Sequence, residues 1–337
     1  MQRRKEYSRK VEAAPDVMMN VSVNHRIIID TDTAGDDALA LAMCAKAPNI
    51  TVEGVTVLEG NVSMEQGVKN ALMVLETAGR NDIPVYRGAD TTLDGTEREC
   101  FSVFGTDGMG DQDLIHPSGD AEEGSGIDFI IDTVRRYPDE IEILAIGPAT
   151  DVALAIEKDP ETMKHVKMIW SMGTAGFGPG NATPVAEFNV YHDPKAYAAM
   201  MEAGIPVTVI GLDMCETDDV LYDDVDMKEL AESSDTGAFL VKAWSSIREF
   251  KKHQGDGRVD ICDGVAAGVM IWDDFAVKSE KCSSYVCTEH NPTEGQVIFY
   301  KESYIYDSMP KLEAYDKKVI TGIKGNLFRE SVMELLK

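Results

Sequence analysis

Residues 30–37 read Asp-Thr-Asp-Thr-Ala-Gly-Asp-Asp, four carboxylates within eight positions at the end of the apolar run Arg26–Asp30. Like charges this close ionise together only when a cation or hydrogen-bond donors compensate them. A helix N-terminus supplies part of that compensation, and a divalent cation supplies more. Oxygen-rich clusters of this kind suit Ca²⁺ or Mg²⁺ better than softer metals. A single Asp would be an ordinary helix cap; four behind one apolar strand exceed that need. Further polar groups follow other apolar runs: Gly60-Asn61, Gly147-Pro148-Ala149-Thr150, Met172-Gly173, and Glu187-Phe188-Asn189 after the Gly-rich stretch GFGPGN, with Asp263 opening a helix. Carboxylates, amides and one loop carbonyl converging on one edge suit a polyhydroxylated ligand such as a sugar.

The elements that must position these groups alternate along the chain. Strands are expected at Arg26–Asp30, Thr51–Leu58, Ile83–Tyr86, Ile141–Ile146, Val166–Met172 and Pro206–Leu212, with helices at Ala38–Ala47, Glu65–Ala78, Gly126–Tyr137, Ala149–Ile156 and Pro194–Ala203. Short apolar strands separated by helices predict an α/β fold: an open, mostly parallel, Rossmann-like sheet flanked by helices. Beyond about residue 213 the pattern turns helical up to Phe275, giving C-terminal cap elements, and 276–322 is β-rich. Residues 1–24 read as a flexible N-terminal extension and 25–337 as one domain. In open parallel sheets ligands bind at the carboxyl ends of the strands, where the acidic cluster falls.

Composition narrows the partners. With 32 Lys+Arg against 59 Asp+Glu, the net charge of −27 repels phosphate backbones and argues against nucleic-acid binding. No stretch reaches the ~20 apolar residues of a membrane helix, and the charged N-terminus does not read as a secretory signal. Six scattered cysteines suit reduced thiols, hence a cytoplasmic protein, better than a disulfide framework. Cys282 and Cys287, a C-x4-C pair without further ligands, point only weakly to zinc.

With these segments in view, the sequence resembles the inosine–uridine-preferring nucleoside hydrolase family. The resemblance rests on DTDTAGDDALAL (30–41), GNV (60–62), KNA (69–71), IPVYRGA (83–89), IGPATDVALAI (146–156), MGTAGFGPGNATPVAEFNVYHDP (172–194), IPVTVIGLD (205–213) and CDGVAAGVM (262–270), in order. It implies a Ca²⁺-dependent enzyme that hydrolyses the N-glycosidic bond of a nucleoside, as in purine or pyrimidine salvage, and works as a homodimer or homotetramer. Asp32, Asp37, the Thr150 carbonyl and Asp263 are implied as calcium ligands. Asp32 is also implied as the general base for the attacking water. Asp36 and Asn189 are implied in catalysis and ribose contact, with Asn61, Asn181, Glu187 and Phe188 at the sugar and Met172 below it.

The sequence departs from the family pattern in three places. Thr33-Ala34 stands where Pro-Gly is usual, which works only if the turn needs no positive φ. Phe104 and Cys262 stand where many members carry His, the usual group for protonating a leaving base near neutral pH. Three readings follow: Cys262 lies near base or sugar, another residue or solvent protonates the base while Phe104 stacks on it, or the protein only binds nucleoside or ribose. A free Cys or a Phe also packs as ordinary core. Trp244 or Tyr222 could stack on the base or fill the core, His192 reads as structural, and His253 as part of a polar loop. A rival enzyme class is the Mg²⁺-dependent haloacid-dehalogenase-type phosphatase, whose D-x-D start matches DTDTA with Asp30 as nucleophile, although Ala34 breaks that pattern.

Overall fold

The computed structural model describes residues 19–100, 102–301 and 317–337. Its strands are β1 (His25–Thr31), β2 (Ile50–Val57), β3 (Val85–Arg87), β4 (Ile141–Ala145), β5 (Met168–Met172), β6 (Val207–Ile210), β7 (Ala276–Val286), β8 (Val297–Tyr300) and β9 (Lys317–Ile323). They form one sheet in the order β3-β2-β1-β4-β5-β6-β9-β7-β8. All neighbours from β3 to β9 pair in parallel, and β7 pairs antiparallel with both β9 and β8. The mostly parallel α/β architecture expected from the alternation is therefore present.

β1 shows why this sheet forms. Successive side chains of a strand point to opposite faces, and here both faces are covered. Ile27 and Ile29 pack into one core with the helices Gly35–Lys46 and Cys262–Ile271, while Ile28 packs into the other with the helices Gly126–Arg136 and Thr150–Lys158. A strand buried on both sides must be apolar throughout, which is how Ile27-Ile28-Ile29 reads. The chain runs outward from β1 to β2 and β3, then returns to place β4 on the other side of β1. That reversal opens a crevice at the carboxyl ends of β1 and β4, the usual ligand position in such sheets.

Residues 276–322 carry β-rich stretches as expected, and β9 inserts beside β6 to extend the main sheet. A last helix, Phe328–Leu336, buries Phe328, Val332 and Leu336 and went unread in the sequence. Of the expected flexible extension, 1–18 lie outside the described residues. Residues 19–24 include the buried Met19, and the Asn20 and Ser22 amides donate to Asp274 Oδ1 and Asp273 Oδ2 at 2.9 and 2.8 Å. Among the described residues no helix is long and apolar enough to cross a membrane.

Trp244 and Tyr222 are fully buried core residues and not base-stacking candidates. Trp244 Nε1 donates to the Gly35 carbonyl at 2.8 Å, which anchors the helix carrying Asp36 and Asp37. Trp244→Ala is accordingly expected to cost about 3–5 kcal/mol, and Trp244→Phe about 1 kcal/mol, in urea unfolding. Unchanged stability in Trp244→Ala would contradict the assignment of this ring to the core.

Candidate active site

The acidic segment lies at the crevice. β1 ends at Thr31, and the helix Gly35–Lys46 starts at once with Asp36 and Asp37 in its first turn. Ala34 has φ −115°, and neither it nor Thr33 is among the residues with positive φ, so this turn forms without Pro-Gly. Asp37 is fixed by its neighbours, accepting from Thr31 Oγ1 and from the Ala34 amide, the latter at 2.8 Å. Asp32 accepts from the Asn61 amide through Oδ2 at 2.6 Å. Two glycines allow this close packing. A Cβ on Gly60 would lie 2.2 Å from Asp32 Oδ2, and one on Gly147 would lie 2.9 Å from the Asp32 amide nitrogen. Any larger residue would displace the Asp32 side chain or backbone.

Asp263 arrives from the other end of the chain, in the first turn of the helix Cys262–Ile271. Carboxylate oxygens of Asp36, Asp37 and Asp263 all lie within 4.8 Å of one another. Asp32 stands beside them, and its charge acts on Asp263. The sequence reading gave Asp36 to the sugar and Asp32 to the cluster; here Asp36 completes the tight trio. Burial, then the neighbouring Asp37 charge, hold both Asp32 and Asp36 well above the usual carboxylate range. Burial followed by the Asp36, Asp37 and Asp32 charges does the same to Asp263. Burial raises Asp37 to about 6 despite its donors. Asp32 Oδ1, Asp36 Oδ1 and Asp263 Oδ1 are buried oxygens with no hydrogen-bond partner. Buried oxygens left unpaired are costly, and an all-oxygen set of this kind fits a hard divalent cation. Among the described residues, Asp36, Asp37 and Asp263 are the group found suited to a metal, and Cys282 and Cys287 form no such cluster.

A cavity of about 460 Å³ opens over the cluster. Asp36, Asp263, Asn61, Met172, Asn181, Glu187, Phe188, Asn189, Phe104 and Cys262 all line it, so the expected substrate contacts converge. Thr150 is not in the wall; it opens the helix Thr150–Lys158 and gives its hydroxyl to Asp193 Oδ2 at 2.8 Å. Glu187 caps the helix Phe188–His192 by accepting from the Asn189 and Val190 amides at 2.8 and 3.2 Å. Burial nevertheless lifts Glu187 to about 7. The Asn189 side-chain amide donates to the Ile146 carbonyl at 2.9 Å and the Met172 carbonyl at 3.3 Å, which ties the loop to the ends of β4 and β5. Asn181 Oδ1 accepts from the Phe188 amide at 2.9 Å.

The remaining candidates sort out by burial. Phe104 is buried against the Gly35 backbone and also lines the cavity. His192 is buried against Phe188, with burial pushing its pKa down to about 4, and His253 is exposed and away from the cavity wall. Asp30, the nucleophile required by the phosphatase reading, is fully buried outside the cavity, accepts from Thr56 Oγ1 at 2.7 Å and lies beside buried Asp151. Another wall comes from 214–260, where the sequence suggests base-recognition elements without resolving single residues: Ile247, Phe250, Lys251 and Gln254, spaced i, i+3, i+4, i+7 on the helix Ser245–Gln254, with Glu216 and Asp260 also lining the cavity.

The buried acids have a thermodynamic consequence. Asp37 at about 6 and Glu187 at about 7 hold protons more tightly in the folded chain than at their ordinary values of 3.8 and 4.5. The folded state therefore carries the extra protons between about pH 4 and 7, and stability falls as pH rises through that window. We expect the melting temperature of the chelated protein to drop across that interval, and millimolar Ca²⁺ to flatten the drop by binding the folded cluster. A melting temperature that ignores both pH and Ca²⁺ would contradict this electrostatic picture.

Known proteins resemble this chain in both sequence and fold. The sequence profile described as inosine-uridine preferring nucleoside hydrolase covers residues 27–330. Uridine nucleosidase 1 of Arabidopsis thaliana is 38% identical over 61% of this chain and 61% of its own length. The non-specific ribonucleoside hydrolase RihC of Escherichia fergusonii is 34% identical over 81% of this chain and 87% of its own. The chain spans 61–64% of the length of the first curated relatives it matches. Among solved structures, the plant nucleoside hydrolase PpNRh1 superposes with a TM-score of 0.86 at 28% identity, covering 93% of this chain and 98% of that one. A purine-preferring ribonucleoside hydrolase from Gardnerella vaginalis gives 0.84 at 27% identity, covering 92% and 98%.

Proposed function

The chain belongs to the inosine-uridine preferring nucleoside hydrolase family, and we propose that it hydrolyses the N-glycosidic bond of (deoxy)ribonucleosides to free base and ribose. The observation that carries this reading is the meeting of Asp36 and Asp37 with Asp263, from a distant part of the sequence, Asp36 and Asp263 lining a cavity walled by amides and carboxylates. Uridine is the first substrate to test, because relatives similar to this chain are uridine nucleosidases.

In this reading Asp32, Asp37, Asp263 and the Thr150 carbonyl hold a Ca²⁺ ion, with Asp36 close enough to share it. When bound, the ion offsets the clustered negative charge, grips the sugar diol and makes water a stronger acid. The chain's own groups do the rest. Asp32 is held through Oδ2 by the Asn61 amide, which leaves Oδ1 to accept the proton of the attacking water as general base. The bond to the base breaks with positive charge building on the ribose, and the Asp36 and Glu187 carboxyl groups lining the cavity stabilise that charge. Asn61, Asn181, Glu187 and Asn189 position the hydroxyl groups, Met172 packs below the sugar, and Phe188, Phe104 and Cys262 close the walls around the ligand.

A nitrophenyl riboside tests this directly, because its leaving group needs no proton. Turnover with Ca²⁺ is expected, with loss after exhaustive chelation. Asp32→Ala and Asp37→Ala are each expected to lower kcat/KM by ~10²–10⁴-fold or more. Full activity after chelation, or in either variant, would remove the assigned roles. Ribose binding without any turnover in the presence of Ca²⁺ would mark the protein as a binder.

A further inference from the structure

Breaking the glycosidic bond leaves an electron pair on the base, so an oxo-base departs as an anion into a cavity crowded with carboxylates. Neither position beside the base end offers a cation. Phe104 presents carbon only, and Cys262 is buried with its carbonyl against the Cys215 thiol. The cation comes from the helix Ser245–Gln254. Lys251 is the one basic side chain among the described residues lining the cavity. Its Nζ donates to Asp260 Oδ2 at 2.8 Å, with the two side chains only 21% and 10% exposed. That bond uses one of three ammonium N–H groups and leaves two for a ligand. Asp260 Oδ1 is buried without a partner, and Glu216 lines the same wall. One anchored cationic donor beside carboxylate acceptors matches a base that carries both a ring carbonyl and a ring N–H, as uracil and hypoxanthine do.

We propose that Lys251, anchored by Asp260, receives the departing base by hydrogen-bonding its carbonyl oxygen. The proposal rests on the hydrolytic reading above. In the step, the water oxygen bonds to the anomeric carbon and the C–N bond breaks with its electron pair staying on the base nitrogen. The water proton passes to Asp32 and reaches the base through solvent, while Lys251 keeps its protons throughout. Burial opposes the Lys251 charge, but the Asp260 carboxylate outweighs it and holds the ammonium above its ordinary value. The cation therefore persists across the neutral range.

The experiment compares substrates within each variant. Wild type is first assayed on the nitrophenyl riboside with Ca²⁺; absence of turnover there defeats the hydrolytic reading itself. Given turnover, Lys251→Met is expected to lower kcat/KM for uridine by ~10²-fold or more, the usual cost of losing a donor aimed at developing charge. The fall on the nitrophenyl riboside should be at least tenfold smaller, because nitrophenolate is already a good leaving group. Lys251→Arg should recover part of the uridine rate. Because the readout is a ratio of substrates, a partly destabilised variant still reports it. Equal losses on both substrates, or no loss on uridine, would overturn the proposal.

Discussion

The organising constraint in this molecule is repulsion among buried carboxylates. Asp32, Asp36, Asp37 and Asp263 are brought together out of water, and three of them keep an oxygen without a partner. A fold would ordinarily avoid this arrangement, since unpaired buried polar groups destabilise it. Its persistence in a packed crevice is the physical argument for a bound cation. The surroundings serve that cluster. β1 delivers Asp32, the first turn of the following helix delivers Asp36 and Asp37, and the helix Cys262–Ile271 brings Asp263 alongside. Gly60 and Gly147 leave the space that Asp32 needs.

The same constraint orders the cavity around it. Asp36 and Asp263 line it together with amides and carboxyls pinned by backbone donors, and the same cavity carries the Lys251–Asp260 pair. Carboxylates, amides and one ammonium group are thus fixed before any ligand arrives. Preorganised charge of this kind acts without reorganisation at the moment of reaction.

Much of this was legible in the sequence because the responsible signals are local. Ile27-Ile28-Ile29 announces a strand buried on both faces, and the run of acids directly after it places the cluster at a strand end. The converging amides Asn61, Asn181 and Asn189 each follow an apolar run or a Gly-rich loop. What stayed hidden depends on pairing over long distances. Nothing local tells that Lys317–Ile323 inserts beside Val207–Ile210. The spacing of Ile247, Phe250, Lys251 and Gln254 was present, but that helix face lines a polar cavity and so shows no continuous apolar stripe. Trp244 and Tyr222 could stack on a ligand but read more readily as core, and their burial places them there. That Asp36 lies within 4.8 Å of Asp37 and Asp263, with Asp32 beside them, is likewise not given by spacing alone.

The most direct measurement of the central claim is calorimetric titration of the metal-free protein with Ca²⁺ near pH 6, repeated in buffers of different ionisation enthalpy. If the buried carboxylates hold protons until a cation displaces them, each chain takes up a single ion and releases protons as it binds. Absence of binding, or binding with no proton release in any buffer, would contradict the account.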